Sequence, residues 1–176
     1  MSLEIQTEEL FICELNKFII DNGKGDKVDP ITKITQNIYI GQGRTTLYGD
    51  MLSTLGITHI LSIGRSPHSS VKEGNFERLE ITNLPDIYQS DMTPHFTKFF
   101  NFMNQVKEKN GKVYIHCEMG CSRSAVAVIA ILKFLGYVDS LQDGYNLVKS
   151  KRPWIRIGQN FQHQIRCFFN EELICN

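Results

Sequence analysis

The period of the apolar positions changes along the chain, and each change marks an element. In LEIQTEELFICELNKFIID (3–21), Leu10, Phe11, Leu15, Phe18 and Ile19 fall on one helical stripe with acids opposite, which predicts an amphipathic helix. DNGKGDKVDP (21–30) has turn chemistry and separates that helix from the rest. NIYIG (37–41) reads as a strand, GDMLSTLG (49–56) as a short helix stopped by Gly56, and ITHILSIG (57–64) as a buried strand. PHSSVKEGN (67–75) reads as a surface loop and FERLEITNL (76–84) as a further strand.

Thr93 before Pro94 predicts an N-cap with proline at the first helical position. The helix it opens turns Phe96, Phe99, Phe100, Met103 and Val106 inward and stops at Asn110-Gly111. KVYIHC (112–117) is a strand, and 123–135 is a helix apolar on nearly every side, hence central. Two more helices follow, near 140–151 and 159–174. Strands alternating with helices predict an α/β fold, a central and mainly parallel sheet flanked by helices. A chain of 176 residues fits one globular domain, with 1–22 as an N-terminal helical extension and 28–176 as the body. The N-terminal stripe is expected to dock on that body rather than on a partner.

Composition narrows the function by exclusion. With 19 basic and 19 acidic residues the formal net charge is zero, so nucleic-acid and anionic-membrane partners are not expected. The longest apolar run, Ala125 to Leu132, falls far short of the ~18 residues that span a bilayer. Residues 1–20 have neither a basic n-region nor a small-residue cleavage site, which argues against a signal peptide. The five cysteines (13, 117, 121, 167 and 175) are an odd number in a chain that needs no staples, and read as reduced thiols in a cytoplasmic or nuclear protein.

The chemistry concentrates in HCEMGCSRS (116–124), between a strand and the buried helix. Ligands in such sheets sit beyond the carboxyl ends of the strands. A helix N-terminus there offers unpaired N–H groups to an anion, Gly120 lets the backbone curl round it, and Arg123 presents a planar fork to two of its oxygens. The same field favours a thiolate at Cys117. The turn therefore reads as an oxyanion site with a nucleophile at its floor.

This string resembles the His-Cys-x-x-Gly-x-x-Arg-Ser/Thr signature of cysteine-dependent protein phosphatases, in the form of the atypical dual-specificity branch. Its fixed residues arise by chance on the order of once in 10⁴ chains of this size, which sets aside a buried structural cysteine beside a surface arginine. The likeness runs over roughly residues 30–170, through ITQNIYIG, GITHILSIG and FFNFMNQVKEKNGKVYIHC to KSKRPWIRIGQNFQHQI. In the last segment Gly158 stands at the family's asparagine and Asn160 at its glycine.

The resemblance implies a tyrosine-phosphatase-like fold and hydrolysis of phosphotyrosine and phosphoserine/phosphothreonine through a cysteinyl-phosphate. Cys117 would be the nucleophile and Arg123 the phosphate clamp; Glu118, Met119, Gly120, Cys121 and Ser122 would form the phosphate loop. Ser124 would donate to the departing thiolate, while His116 would order the loop rather than transfer protons. The family's general acid lies on a movable loop about thirty residues before the cysteine. NLPDIYQSD offers Asp86 (117 − 86 = 31), after Pro85 as in the family's loop but with Leu84 in place of tryptophan. Asp91 (117 − 91 = 26) is the second candidate, placed where acids commonly serve a helix dipole. No cofactor or metal is implied, and the expected partner is a phosphorylated protein acted on by a monomer.

Several residues keep two readings. Cys121 is either a small filler or a thiol that traps oxidised Cys117. Glu118, unusual in a phosphate loop, is expected to face solvent, or else to favour basic residues beside the phosphosite. Trp154 packs under the last helix or rims the site; Arg65 is a solvated loop residue or, as in the family, contacts a second phosphate. Gly41-Gln42-Gly43 reads as a turn, not a nucleotide loop. A phosphatase for a non-protein phosphoester, such as a phosphoinositide, RNA 5′ end or glycan, is the alternative, but such loops tend to carry more basic residues. A phosphopeptide-binding pseudophosphatase usually loses the cysteine or the arginine, and both are present here. Rhodanese-like and low-molecular-weight phosphatases fit less well, since their loops lack Gly120 or lie near the N-terminus.

Overall fold

The computed structural model of the chain describes residues 3–22 and 30–175, so most of the turn read at 21–30 lies outside the described residues. Among the described residues five strands form one sheet: β1 (Ile31–Lys33), β2 (Ile38–Gln42), β3 (Ile57–Ile63), β4 (Glu77–Ile81) and β5 (Lys112–Cys117). Their order is β1-β2-β5-β3-β4, with β1–β2 antiparallel and every other pair parallel. The helices are α1 (Leu3–Asn22), α2 (Gly49–Thr54), α3 (Ser69–Lys72), α4 (Phe96–Glu108), α5 (Arg123–Phe134), α6 (Leu141–Lys151) and α7 (Gln159–Phe169). The expected architecture, a mainly parallel sheet between helices, is the one found.

Period-two alternation distributes the sheet's side chains between two cores. Ile38, Ile40, Leu61, Ile63, Val113 and Ile115 face the larger one, with α4, α5 and α7. Tyr39, Ile60 and Tyr114 face the smaller one, with α1 and α2. Central strands covered on both faces are largely apolar, and the polar residues that β2, β3 and β5 do carry inside, Gln42, His59, Ser62 and His116, are buried with them. Every residue of α5 from Arg123 to Leu132 is buried, as its uniform apolarity predicts. All five expected inward residues of α4 are buried too.

The differences are local. On α1 the buried positions are Ile12, Leu15, Asn16 and Ile19, whereas Leu10 and Phe18 are exposed, so the stripe is rotated from the expected one. Asn16 turns inward because its carboxamide brackets Ile31, accepting from its N–H at 2.9 Å and donating to its carbonyl at 2.8 Å. The segment expected as a loop at 67–75 contains the single turn α3, opened by the His68 side chain accepting from Ser70 N–H. Thr93 does not cap α4: Thr93–His95 is a 3-10 turn, and the Asp91 carboxylate accepts from Thr93 N–H at 2.9 Å. Gly41 and Gln42 continue β2 instead of turning, in register with His116 and Cys117. Helix α7 ends at Phe169 rather than 174, because Asn170 adopts a left-handed conformation with φ 53°.

Candidate active site

Strand β5 ends at Cys117 and α5 starts at Arg123, so five residues must turn the chain at the carboxyl edge of the sheet. Four of their carbonyls are held from outside. Glu118 O accepts from Gly43 N–H at 3.0 Å and Cys121 O from Arg156 N–H at 3.0 Å. Gly120 O accepts from Arg152 Nε at 2.7 Å, and Met119 O from Arg152 Nη2 at 3.3 Å. In a trans peptide the next N–H points away from the carbonyl, so the amides of 119–122 turn to the loop's inner side. Gly120, with φ +67°, makes the bend, and a Cβ there would stand 2.4 Å from Gly41 O.

Arg152 is a site residue that sequence reasoning missed. It is fully buried, bonds Thr32 Oγ1 at 2.9 Å as well as the loop, and stacks its guanidinium on Trp154 at 5.1 Å. That stacking gives Trp154 a packing role. The signal available was the Arg152-Pro153 pair in the resemblance, which named no partner for the arginine.

Within the turn, Cys117 Sγ lies 3.3 Å from Ser124 Oγ, and both residues are buried. Arg123 is 6 % exposed. Its Nη1 donates to Leu84 O at 2.8 Å, while its buried Nε has no hydrogen-bond partner and stands 3.7 Å from Asp86 Oδ2. An unsatisfied buried guanidinium N–H is costly, and an oxyanion is the group that would relieve it. The other oxygen of Asp86 accepts from Ser122 Oγ at 3.0 Å. The structure thus brings together Cys117, Ser122, Arg123, Ser124 and Asp86. Asp91 is engaged with the α4 entrance instead.

His116 is fully buried, its Nε2 2.8 Å from Ser62 Oγ and its Nδ1 3.3 Å from Cys117 O. Burial brings its pKa down to about 4, only partly offset by the bond to the Cys117 backbone, so the ring is neutral. With Nδ1 donating to the carbonyl, Nε2 must accept from the Ser62 hydroxyl. Burial pushes the Cys121 thiol up, and it donates to Met119 O at 3.3 Å, so Cys121 is a weak nucleophile in this state. Glu118 does not simply face solvent; it pairs with Arg65 at the edge of an 820 Å³ cavity that Arg44, His68 and Met119 also line. Chemically, the arrangement can seat a tetrahedral oxyanion over a thiol, with a carboxyl at hand for proton transfer.

The family profile described as dual specificity phosphatase, catalytic domain, matches residues 38–171. Tyrosine-protein phosphatase vhp-1 of Caenorhabditis elegans is 32% identical over 141 residues, 78% of this chain and 21% of that protein. Dual specificity protein phosphatase 1-A of Xenopus laevis is 30% identical over 148 residues, 84% of this chain and 39% of that one. The chain therefore spans between about a fifth and two-fifths of the length of these relatives. Among solved structures, human DUSP28 shares the fold with a TM-score of 0.72 at 21% identity, covering 79% of this chain and 92% of that one.

Proposed function

The chain belongs to the dual specificity phosphatase catalytic-domain family, and on that premise we propose that it hydrolyses phosphotyrosine and phosphoserine/phosphothreonine in proteins through a cysteinyl-phosphate. The observation that carries the reading is the meeting of Cys117 Sγ, the unpartnered Nε of Arg123 and the Asp86 carboxyl at one turn. The Cys117 thiolate attacks phosphorus, the P–O bond breaks, and Asp86 protonates the leaving oxygen. Loop amides and Arg123 hold the equatorial oxygens, which carry charge throughout. Asp86, now a carboxylate, takes a proton from water as that water attacks phosphorus. The P–S bond breaks, inorganic phosphate leaves, and Ser124 Oγ, 3.3 Å from the sulfur, steadies the departing thiolate. The neutral His116 orders the strand end and transfers no proton.

Leaving-group dependence is the test. A general acid matters most when the departing oxygen is basic, so Asp86→Ala should cost roughly 10²–10⁴-fold on phosphotyrosine peptides. On an activated aryl phosphate the loss should be far smaller, and Cys117→Ser should abolish turnover of both. Equal losses on both substrates from Asp86→Ala would remove Asp86 from the acid role. Surviving turnover in Cys117→Ser would mean that another group attacks.

A further inference from the structure

The chain after Asp86 is held by α7. Asn160 Nδ2 donates to Ile87 O at 3.0 Å and to Ser90 O at 3.4 Å. One turn on, Gln164 Nε2 donates to Ser90 O at 2.8 Å, and its Oε1 accepts from Met92 N–H at 2.8 Å. The loop is closed on itself by Ser90 Oγ, which donates to Pro85 O at 2.6 Å. Before Asp86, Arg123 holds the carbonyl of Leu84; at Asp86 itself, Ser122 holds one carboxyl oxygen. The segment is therefore tied on both sides of the carboxyl. Its second anchor is α7, a helix seated in the core by Phe161 and Ile165, both fully buried.

Residue 158, two before Asn160, is glycine, which leaves the Asn160 carboxamide unhindered. A Cβ at 158 would stand 2.9 Å from Asn160 Oδ1, so the room that a side chain there needs is already filled by the carboxamide. Gly158 and Asn160 are thus one matched change from the pattern this chain resembles: an amide two residues later in α7, and space cleared for it.

We propose that Asn160, made possible by Gly158 and backed by Gln164, is a positioning residue that holds Asp86 in its proton-transfer position before substrate binds. The proposal rests on the reading of Asp86 as general acid. Neither amide touches the phosphate; both act through the backbone of residues 87–92. Losing the Asn160 donor leaves the Ile87 carbonyl to water and lets the segment lift, so the productive position of Asp86 is occupied a smaller fraction of the time.

Single-turnover and steady-state kinetics of the full chain decide it, with Asn160→Ala and Gly158→Ala compared on a phosphotyrosine peptide and on an activated aryl phosphate. Each variant should lower kcat roughly 5- to 20-fold on the peptide, the worth of a hydrogen bond or two expressed as rate, and change the activated substrate less than about twofold. KM should stay within about twofold. In an Asp86→Ala background the same substitutions should have no further effect on the peptide, since they act through that carboxyl. Gln164→Glu, which keeps the acceptor but removes the donor, should repeat the pattern and serves if Asn160→Ala fails to fold. Equal loss on both substrates, or a loss that persists without Asp86, overturns the proposal. If Asp86→Ala itself shows no leaving-group dependence, the fault lies with the acid assignment. If Asp86→Ala does and the α7 variants do not, only the positioning role falls.

Discussion

Gly64 has no side chain because the site leaves no volume for one. A Cβ there would stand 1.8 Å from Arg123 Nη1 and 2.5 Å from Leu84 O, and φ is +74°, where any other residue is strained. Gly64→Ala should therefore displace the arginine and the loop it holds, lowering kcat/KM on a phosphopeptide at least ~10²-fold, the scale of a lost oxyanion donor. Activity near the wild-type level would show that Arg123 does not depend on this close approach. His116 gives a second prediction, in pH. Its pKa falls from 6.5 to about 4 on folding, so the unfolded chain binds more protons between these values. The stability this contributes is present above the unfolded value and is lost as pH falls toward the folded one, about 3 kcal/mol over the window. Burial lowers the pKa of His59 and His95 as well, so the slope of the wild type alone is shared. The difference between wild type and His116→Gln in urea unfolding isolates His116, and a difference constant from pH 7 to 4 would refute its neutral burial. Residues of this kind divide cleanly by legibility. Cys117, Arg123 and Ser124 stand out as candidates because they lie within eight positions of one another, and Asp86 because it follows proline at a readable spacing. Gly64, Arg152 and Asn160 contact partners 59, 32 and 73 positions away, and no local pattern names those partners.

At the scale of an element, α1 shows how a period can be right and its phase wrong. Leu15 and Ile19 belong to both the expected and the observed stripe, but the rest is set by polar residues that a hydrophobic count sends outward. Asn16 brackets Ile31, and Glu8 bonds Lys112 at 2.8 Å, Lys33 at 2.5 Å and the Tyr39 hydroxyl. Burial raises the pKa of Glu8, yet the bonds from Lys112, Lys33 and Tyr39 and the Lys112 charge outweigh it and hold it at about 2. These contacts turn Leu10 and Phe18 to the surface. Leu15→Ala and Ile19→Ala should each cost about 2–5 kcal/mol, while Leu10→Ala should stay within about 0.5 kcal/mol. Denaturant midpoints at constant m-value would measure this, and a large cost at Leu10 with little at Leu15 would restore the expected phase. The short elements were the hardest to read. Strand β1 has three residues, too few to alternate, and α3 is one turn that a histidine side chain opens.

At the scale of the molecule, the sheet is a partition with one core on each face, and the proposed catalytic turn lies at its carboxyl edge. The larger core, built on α4, α5 and α7, follows from long apolar runs and was legible. The smaller one was legible in outline, since the N-terminal stripe is expected to dock on the body, but not in which residues make it: α1 reaches it from the far end of the chain through Ile12, Leu15 and Ile19, against Ile31, Tyr39 and Tyr114. Among the described residues no helix is long and apolar enough to cross a membrane. The smaller core also touches the site. Asn16 brackets Ile31, Thr32 beside it accepts from Arg152, and Arg152 holds the carbonyls of Met119 and Gly120. A chain beginning at residue 28 removes three buried aliphatic side chains from this face, each worth about 2 kcal/mol of burial. Spread over a domain of this size, at ~2–4 °C per kcal/mol, the loss should lower Tm by more than about 10 °C. It should also expose Tyr39 and Tyr114, detectable as dye binding to apolar surface. Because β1 then lacks the Asn16 bracket, kcat should fall on activated and poor leaving groups alike, the signature of a loosened phosphate loop and not of a misplaced acid. A truncated chain that keeps the wild-type Tm and kcat would make α1 an appendage, with Gly43, Arg152 and Arg156 holding the phosphate loop without it.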